Sequence, residues 1–285
     1  RAASAVRQEI FKRNDLKRKS DYEVTNAYYN VMTSNYEVED AQRAVDIAKK
    51  DLDVAKIKLE QGLITKNMLS QYESEYRLKQ TEYNKAFTGL QNNMASLSKL
   101  MGKNLDVFNT KIDMTISMPN LAALDLNKIK EDYMKQSPDF YALSEALDMA
   151  EYKQQLTEDK YDYYFKRLPH RSTKIEDELN DMKYKADRDY DNAKYQYQEA
   201  EKSLDVLLNT LYSGIHTLQQ SIWTLQKNVE DTKVAVEHNQ LKRKLEMITA
   251  LDLEKSESAL KELENTLNKT IITINKQYLE LTQYS

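Results

Sequence analysis

An uninterrupted heptad of small and apolar residues is the feature that most constrains how this chain can fold. Between residues 38 and 59 these residues recur at alternating intervals of three and four, at Val38, Ala41, Val45, Ala48, Leu52, Ala55 and Leu59. A strict seven-residue repeat holds one face of a helix against a partner and supercoils the pair to the left. A second apolar line, at Ile47, Val54 and Ile57, lies on another face. Two lines favour a helix with neighbours on two sides, as in a wall of helices, although one wide stripe in a plain bundle would give a similar pattern.

A turn signal follows this helix, and the heptad then resumes. Gly62 ends the first helix, and Thr65 is placed to cap the next one with its hydroxyl. Eight of ten heptad positions between residues 69 and 100 are apolar or aromatic, and Gly102 closes the helix. We therefore expect an antiparallel coiled-coil hairpin with its tip at residues 60–66.

The scarcity of turn-forming residues extends this interpretation to the whole chain. The 285 residues include 4 Gly, 3 Pro and no Cys. Collagen-like, disulfide-rich and ordinary β-sandwich proteins are excluded, because each class needs more Gly, Pro or Cys than this chain contains. An all-α fold of long helices is predicted. One short strand is expected near 112–118, where Ile112, Met114, Ile116 and Met118 alternate with polar residues ahead of Pro119.

Helix start signals divide the second half of the chain into four predicted helices. A short helix is expected near 125–136, and Ser137-Pro138-Asp139 starts another that runs to about residue 165. Thr173 and Glu176 form a capping-box pattern that begins a very long helix, about 174–245, in which Gly214 is a candidate bend. The final helix is expected at about 250–283.

The second half repeats the first at an offset of 184 residues. Comparing 20–101 with 204–285 gives 15 identities in 82 gapless pairs, and both hairpins turn at Ile-Thr, at Ile64-Thr65 and Ile248-Thr249. About five identities are expected by chance, so two tandem repeats are predicted. The expected domains are a first repeat (1–102), a linker (103–137) and a second repeat (138–285) with a short break at 167–173. The offset also predicts roughly 60 further residues ahead of Arg1 in the natural chain.

Three motifs resemble the TolC-like outer-membrane efflux protein family over nearly the whole chain. They are the first hairpin with its Gly62-Leu63-Ile64-Thr65 tip, the Leu100-Met101-Gly102 helix ending, and the Ser137-Pro138-Asp139 start. The resemblance implies a homotrimer whose six hairpins form a hollow helical tube in the cell envelope, outside the cytoplasm. It also implies that the tips dock onto a periplasmic adaptor and an inner-membrane transporter. The implied contacts are Gly62, Leu63, Ile64, Thr65, Met247, Ile248 and Thr249, with Glu246 standing where the second tip lacks the glycine.

One departure from the family concerns the segment between the paired helices of the second repeat. Family members that span an outer membrane insert two β-strands there, but only about ten residues, 167–176, occupy this place. A membrane β-hairpin needs two strands of about 9–11 residues. We expect a chain without the membrane β-barrel, either because the protein is a barrel-less relative or because the barrel was removed.

Catalytic and cofactor chemistry find little support in the residues. The three histidines (His170, His216 and His238) lack a zinc-type spacing, and no phosphate-binding loop or nucleophile elbow occurs. No enzyme activity, metal or cofactor is expected. The net charge of -4 argues against a nucleic-acid partner, and the longest apolar runs are too short to span a membrane.

Acidic and aromatic residues offer two further candidates. Four acids could line a pore: Asp187, Asp189, Asp191 and Asp205. The alternative is that they belong to an acidic, solvated helix face. Twenty tyrosines are present, of which Tyr72, Tyr76 and Tyr83 are expected in the hairpin core. Tyr161, Tyr163 and Tyr164 could form an aromatic collar.

The sequence thus favours a non-enzymatic conduit subunit of an efflux or secretion assembly. The alternative is a structural coiled-coil scaffold or tether without transport activity.

Overall fold

The computed structural model describes residues 2–167 and 172–284, and these are almost entirely helical. The described residues form six α-helices: α1 (Ala2–Glu60), α2 (Lys66–Met101), α3 (Leu126–Gln136), α4 (Pro138–Arg167), α5 (Thr173–Lys244) and α6 (Ala250–Thr282), with one 3-10 turn at Leu121–Ala123. The all-α prediction is confirmed. Most of the expected break at 167–173 lies outside the described residues.

Capping residues begin the helices as expected, with one correction. Ser137 caps α4, since the backbone N–H of Phe140 donates to its hydroxyl and that of Tyr141 to its carbonyl. At α5, however, the N–H of Glu176 donates to the carbonyl of Ser172. Thr173 therefore lies inside the first turn, and Ser172 takes the position that the capping-box pattern had assigned to Thr173.

The chain divides into two compact units. The first comprises residues 1–20, 122–212 and 281–285, and the second comprises residues 21–121 and 213–280.

The second unit contains two antiparallel helical hairpins, α1–α2 and α5–α6, joined through α1 and α6. Asn93 of α2 donates to Ser34 of α1, and Lys269 of α6 forms an ion pair with Asp40 of α1. Lys233 of α5 forms an ion pair with Glu264 of α6. The helices therefore follow one another in the order α2, α1, α6, α5, and α1 has helical neighbours on two sides.

Heptad positions supply the core of this unit. Ala48, Leu52 and Ala55 of α1 are buried, as the repeat predicts, whereas Val54 and Ile57 of the second apolar line are exposed. Towards the base of the first hairpin, Val31 packs with Leu90, Met94 and Leu97. The buried face of α5 follows the same spacing, at Ile215, Ile222, Val229 and Val236.

The segment after α2 is not a strand, which corrects the sequence prediction for 112–118. Its side chains do alternate, since Ile112, Met114 and Ile116 pack against the buried cluster of Met32 and Ile272 while the residues between them are exposed. No ladder of backbone hydrogen bonds forms within the described residues. The alternation arises because an extended, irregular segment lies along helices. Every second side chain then faces the helices and is partly buried, as it would be in a sheet.

The first unit is built around aromatic contacts. Phe140 of α4 is buried and meets Tyr133 of α3 and Tyr197 of α5 edge to face, with ring centroids 5.9 and 6.0 Å apart. Tyr284 contacts Tyr133 at 4.8 Å. These contacts fix the short helix α3 between its neighbours.

Two further observations concern the helices. α5 continues through Gly214, where a Cβ would lie 3.0 Å from the Oε1 atom of Gln277, so the glycine makes room for that side chain. In the described parts of the chain, no helix carries an apolar stretch adequate for crossing a membrane.

Candidate docking site at the hairpin tips

The first tip joins α1 to α2 through a closed network of backbone hydrogen bonds. The N–H of Gly62 donates to the carbonyl of Leu59 (2.9 Å), and that of Leu63 donates to the carbonyl of Lys58 (2.8 Å). This is the Schellman pattern, which needs a left-handed residue, and Gly62 has φ +73°. Thr65 then caps α2 by accepting a hydrogen bond from the N–H of Met68.

The second tip repeats this pattern 184 residues later with a different residue at its centre. The N–H of Glu246 donates to the carbonyl of Arg243 (3.0 Å), and that of Met247 donates to the carbonyl of Lys242 (2.8 Å). Glu246 has φ +57°, and no other non-glycine residue in the described ranges has a positive φ. The two tips therefore share one turn geometry, although only the first has a glycine at its centre.

Placing glycine at the centre of the second tip should stabilise the fold, and placing glutamate at the centre of the first tip should destabilise it. A left-handed backbone costs an L-residue about 1–2 kcal/mol, partly offset by the greater chain entropy of glycine when unfolded. Glu246→Gly should raise the free energy of unfolding by about 0.5–1 kcal/mol, and Gly62→Glu should lower it by a similar amount. A Cβ at Gly62 meets no atom within 4 Å, so steric overlap does not enter the comparison.

Urea denaturation of the two variants measures this difference. Glu246→Ala is the control, since it removes the carboxylate and keeps the strain, and it should change stability little. Equal effects of Glu246→Gly and Glu246→Ala would contradict the explanation by backbone strain.

A capping box reinforces the second tip. Thr249 donates its N–H and its hydroxyl to Asp252 Oδ2 (3.0 and 2.7 Å), and the N–H of Asp252 donates to Thr249 Oγ1 (3.0 Å). These bonds lower the pKa of Asp252 below its usual 3.8, the hydroxyl of Thr249 contributing most. The first tip has Met68 at the corresponding position and lacks the reciprocal bond.

Acid should therefore loosen the second tip before the first. Because the folded-state pKa of Asp252 is depressed, its stabilisation is present above pH 3.8 and is lost as the pH falls through the lower folded value. Amide exchange of Thr249, followed by NMR, should accelerate in this range relative to the intrinsic rate, whereas that of Thr65 should not. Asp252→Asn should abolish the pH dependence, and a persisting difference in that variant would contradict this assignment.

The tips expose apolar side chains at matching positions. Leu63 and Met247 are each 68 % exposed, while Ile64 and Ile248 beside them are half-buried. Leu245 and Ile57 add further exposed apolar surface close by. Apolar side chains exposed at neighbouring positions of each tip make the tips the candidate docking surface.

Ion pairs join the two hairpins just below their tips. Lys255 forms a pair with Asp51 at 2.7 Å, and Lys50 forms a pair with Glu254. The sequence alone does not indicate these pairs, because partners 204 residues apart depend on the register between α1 and α6.

Two of the four candidate pore acids are engaged within the chain. Asp205 and Glu201 form ion pairs with Lys130 of α3 (2.8 and 2.9 Å), and together they raise the pKa of Lys130. Asp187 accepts a hydrogen bond from Gln154 of α4 at 2.8 Å. Asp189 and Asp191 are exposed.

The other candidates are distributed over the helices. His216 and His238 lie on α5, and His170 falls outside the described residues. Within the ranges 2–167 and 172–284, no three His, Asp or Glu side chains come together as a metal site would require. Tyr76 and Tyr83 are half-buried on α2 and Tyr72 is partly exposed, whereas Tyr164 is buried beside Phe165 on α4.

No family model matches this sequence, and no curated protein matches it either. Solved structures do match over 99 % of the chain. They include the CmeC outer membrane channel of Campylobacter jejuni (TM-score 0.66, 14 % identity), the open state of the MtrE channel of Neisseria gonorrhoeae (0.67, 14 %) and the outer membrane protein VceC of Vibrio cholerae (0.68, 14 %). This chain has a TolC-like helical-hairpin fold. It spans 65 % of the CmeC chain, 69 % of the MtrE chain and 74 % of the VceC chain.

Proposed function

We propose that this chain is a conduit subunit of a cell-envelope efflux or secretion assembly and acts outside the cytoplasm. The observation that carries the proposal is the likeness to outer membrane channels over 99 % of the chain. The proposed function is mechanical, since the hairpins enclose a path and no step of it requires catalysis.

The helix order in the second unit supports a closed ring, which we propose to be a homotrimer. α1 and α6 each have helical neighbours on two sides, whereas α2 and α5 stand at the ends of the order. No hydrogen bond or ion pair joins α2 to α5 in the described ranges. Joining the α5 end of one copy to the α2 end of the next gives a ring of hairpins, and closed rings are the usual outcome of head-to-tail association.

The tips are proposed to dock onto a periplasmic adaptor or a membrane transporter subunit. The surface comprises Gly62, Leu63, Ile64, Thr65, Met247, Ile248 and Thr249. Its support is the exposed Leu63 and Met247, each held by the same backbone pattern. A ring of three copies would present six tips, two from each chain.

Opening is proposed to occur by a change of superhelical twist near the tips. The pairs Lys50–Glu254 and Asp51–Lys255 are the crossing contacts in this region, and all four side chains are partly exposed. Exposed ion pairs contribute about 0–1 kcal/mol each, so they can align the hairpins without locking them. Asp189 and Asp191 remain candidates for acids that face the conduit, because they are exposed, whereas Asp187 is hydrogen-bonded to Gln154 and Asp205 is paired with Lys130.

The mass of the protein in solution tests the proposal. Light scattering over a concentration series should give three times the chain mass of 33.4 kDa. A mass that stays at one or two copies at high concentration would overturn the ring and favour the alternative, a coiled-coil scaffold or tether.

A further inference from the structure

The turn at residues 106–110 presents one phenylalanine on a well-defined support. The carbonyl of Asp106 accepts the N–H of Thr110 (2.8 Å), and its carboxylate accepts the N–H of Phe108 (3.2 Å). Val107 packs downwards against the buried cluster of the first hairpin. Phe108 is 77 % exposed, more than any other large apolar side chain in the described ranges. An exposed ring on a hydrogen-bonded turn is available to a ligand.

Two rings of α2 extend this surface. The ring centroid of Phe87 lies 5.8 Å from that of Phe108, and the centroid of Tyr83 lies 6.1 Å from that of Phe87 with the two rings 18° from parallel. Both helix residues are half-buried, so part of each ring remains open to solvent. These three residues, called the ring cluster below, form one continuous aromatic surface on the second unit.

The surroundings of the ring cluster on α2 are polar but uncharged. At about 100° per residue, every residue between positions 80 and 98 that projects within about 60° of Phe87 is neutral. Two of them, Asn84 and Gln91, are exposed amides whose side chains form no hydrogen bond with other described residues. Each amide can therefore both donate to a ligand and accept from it.

This combination of groups suits a sugar chain better than other classes of ligand. The C–H face of a pyranose ring can stack on an aromatic ring, and its hydroxyl and acetamido groups require hydrogen-bond partners. An apolar protein surface would instead bury the amides of Asn84 and Gln91 without partners, which is costly. A strongly charged polymer would meet no opposite charge on this strip of α2.

We propose that the ring cluster binds a chain of N-acetylated amino sugars. Phe108 supplies the most exposed stacking surface, and Phe87 and Tyr83 continue it. Asn84 and Gln91 pair with acetamido groups, whose own N–H and carbonyl match a side-chain amide. The inference goes beyond the proposed conduit and does not depend on it, because a chain that encloses a path and a chain that acts as a tether could each be held to a polysaccharide layer.

Calorimetric titration of the full chain with a β-1,4-linked hexamer of N-acetylglucosamine tests the proposal. The wild-type chain should bind this hexamer, and Phe108→Leu should weaken binding about tenfold, because leucine is apolar but has no aromatic face. Phe108→Trp should retain the affinity. A β-1,4-linked hexamer of glucose, which lacks acetamido groups, should bind about tenfold more weakly to the wild-type chain.

Tyr184→Leu is the matched control, since Tyr184 is a 70 % exposed aromatic residue of α5 in the first unit. This variant should bind as the wild type does, and circular dichroism should show unchanged helicity for all variants. No binding at millimolar hexamer, equal affinity of Phe108→Leu and wild type, or equal affinity for the two hexamers would overturn the proposal.

Light scattering separates this proposal from the proposed function. Phe108→Leu should keep the wild-type mass, so a failure of sugar binding would leave the conduit standing. A wild-type mass of one chain would remove the conduit, and binding of the hexamer would still support the sugar site.

Discussion

Leu241→Glu is expected to leave the chain folded but to abolish its assembly. Leu241 is exposed within one chain and is covered in the proposed ring, so the variant would bury an unpaired carboxylate at every interface. Burying an uncompensated charge costs several kcal/mol. A ring of three copies has three such interfaces, and the penalties accumulate in the free energy of trimer formation.

Light scattering and circular dichroism together test this expectation. Gln226→Glu is the matched control, because it adds the same charge at an exposed position of α5 that lies about 60° around the helix and about four turns along it from Leu241. The control should keep the wild-type mass, and Leu241→Glu should have the mass of one chain with unchanged helicity. A trimeric Leu241→Glu chain would contradict the proposed interface.

Asp40→Ala is expected to cause a large loss of stability in the second unit. The carboxylate of Asp40 accepts hydrogen bonds from Asn265 Nδ2 (2.8 Å), Lys269 Nζ (2.9 Å) and Arg43. Asn265 has no exposed surface, so without Asp40 its Nδ2 group would keep only the 3.4 Å contact with Glu39. We expect the free energy of unfolding to fall by about 2–4 kcal/mol.

The neighbouring acid provides the comparison for Asp40. Glu39 is half exposed and reaches Asn265 at 3.4 Å and Arg43 at 3.8 Å, so Glu39→Ala should change stability by no more than about 0.5 kcal/mol. Urea denaturation of both variants measures the contrast. Similar small losses would show that the contacts of Asp40 do not stabilise the packing of α6 on α1.

Features that depend on short stretches of sequence could be predicted, and the helices are the clearest example. The heptad through Ala48 and Leu52 predicted a buried face, and Thr65 and Ser137 were correctly identified as caps. Each of these rests on residues within a few turns of one another. The same local reasoning failed at 112–118, because alternation describes burial and does not reveal whether the neighbour is a strand or a helix.

Features that depend on the register between distant helices could not be predicted. Asp40 and Asn265 are 225 positions apart, and nothing near either residue indicates the other. Glu246 is a different case, since the repeat aligns it with Gly62 and could have suggested its positive φ.

Electron microscopy of the purified assembly, viewed end-on, tests the conduit most directly. We expect a ring with a central hole, threefold symmetry and a wall one helix layer thick in the second unit. A solid bundle without a hole, or single rods at concentrations where light scattering shows association, would contradict it.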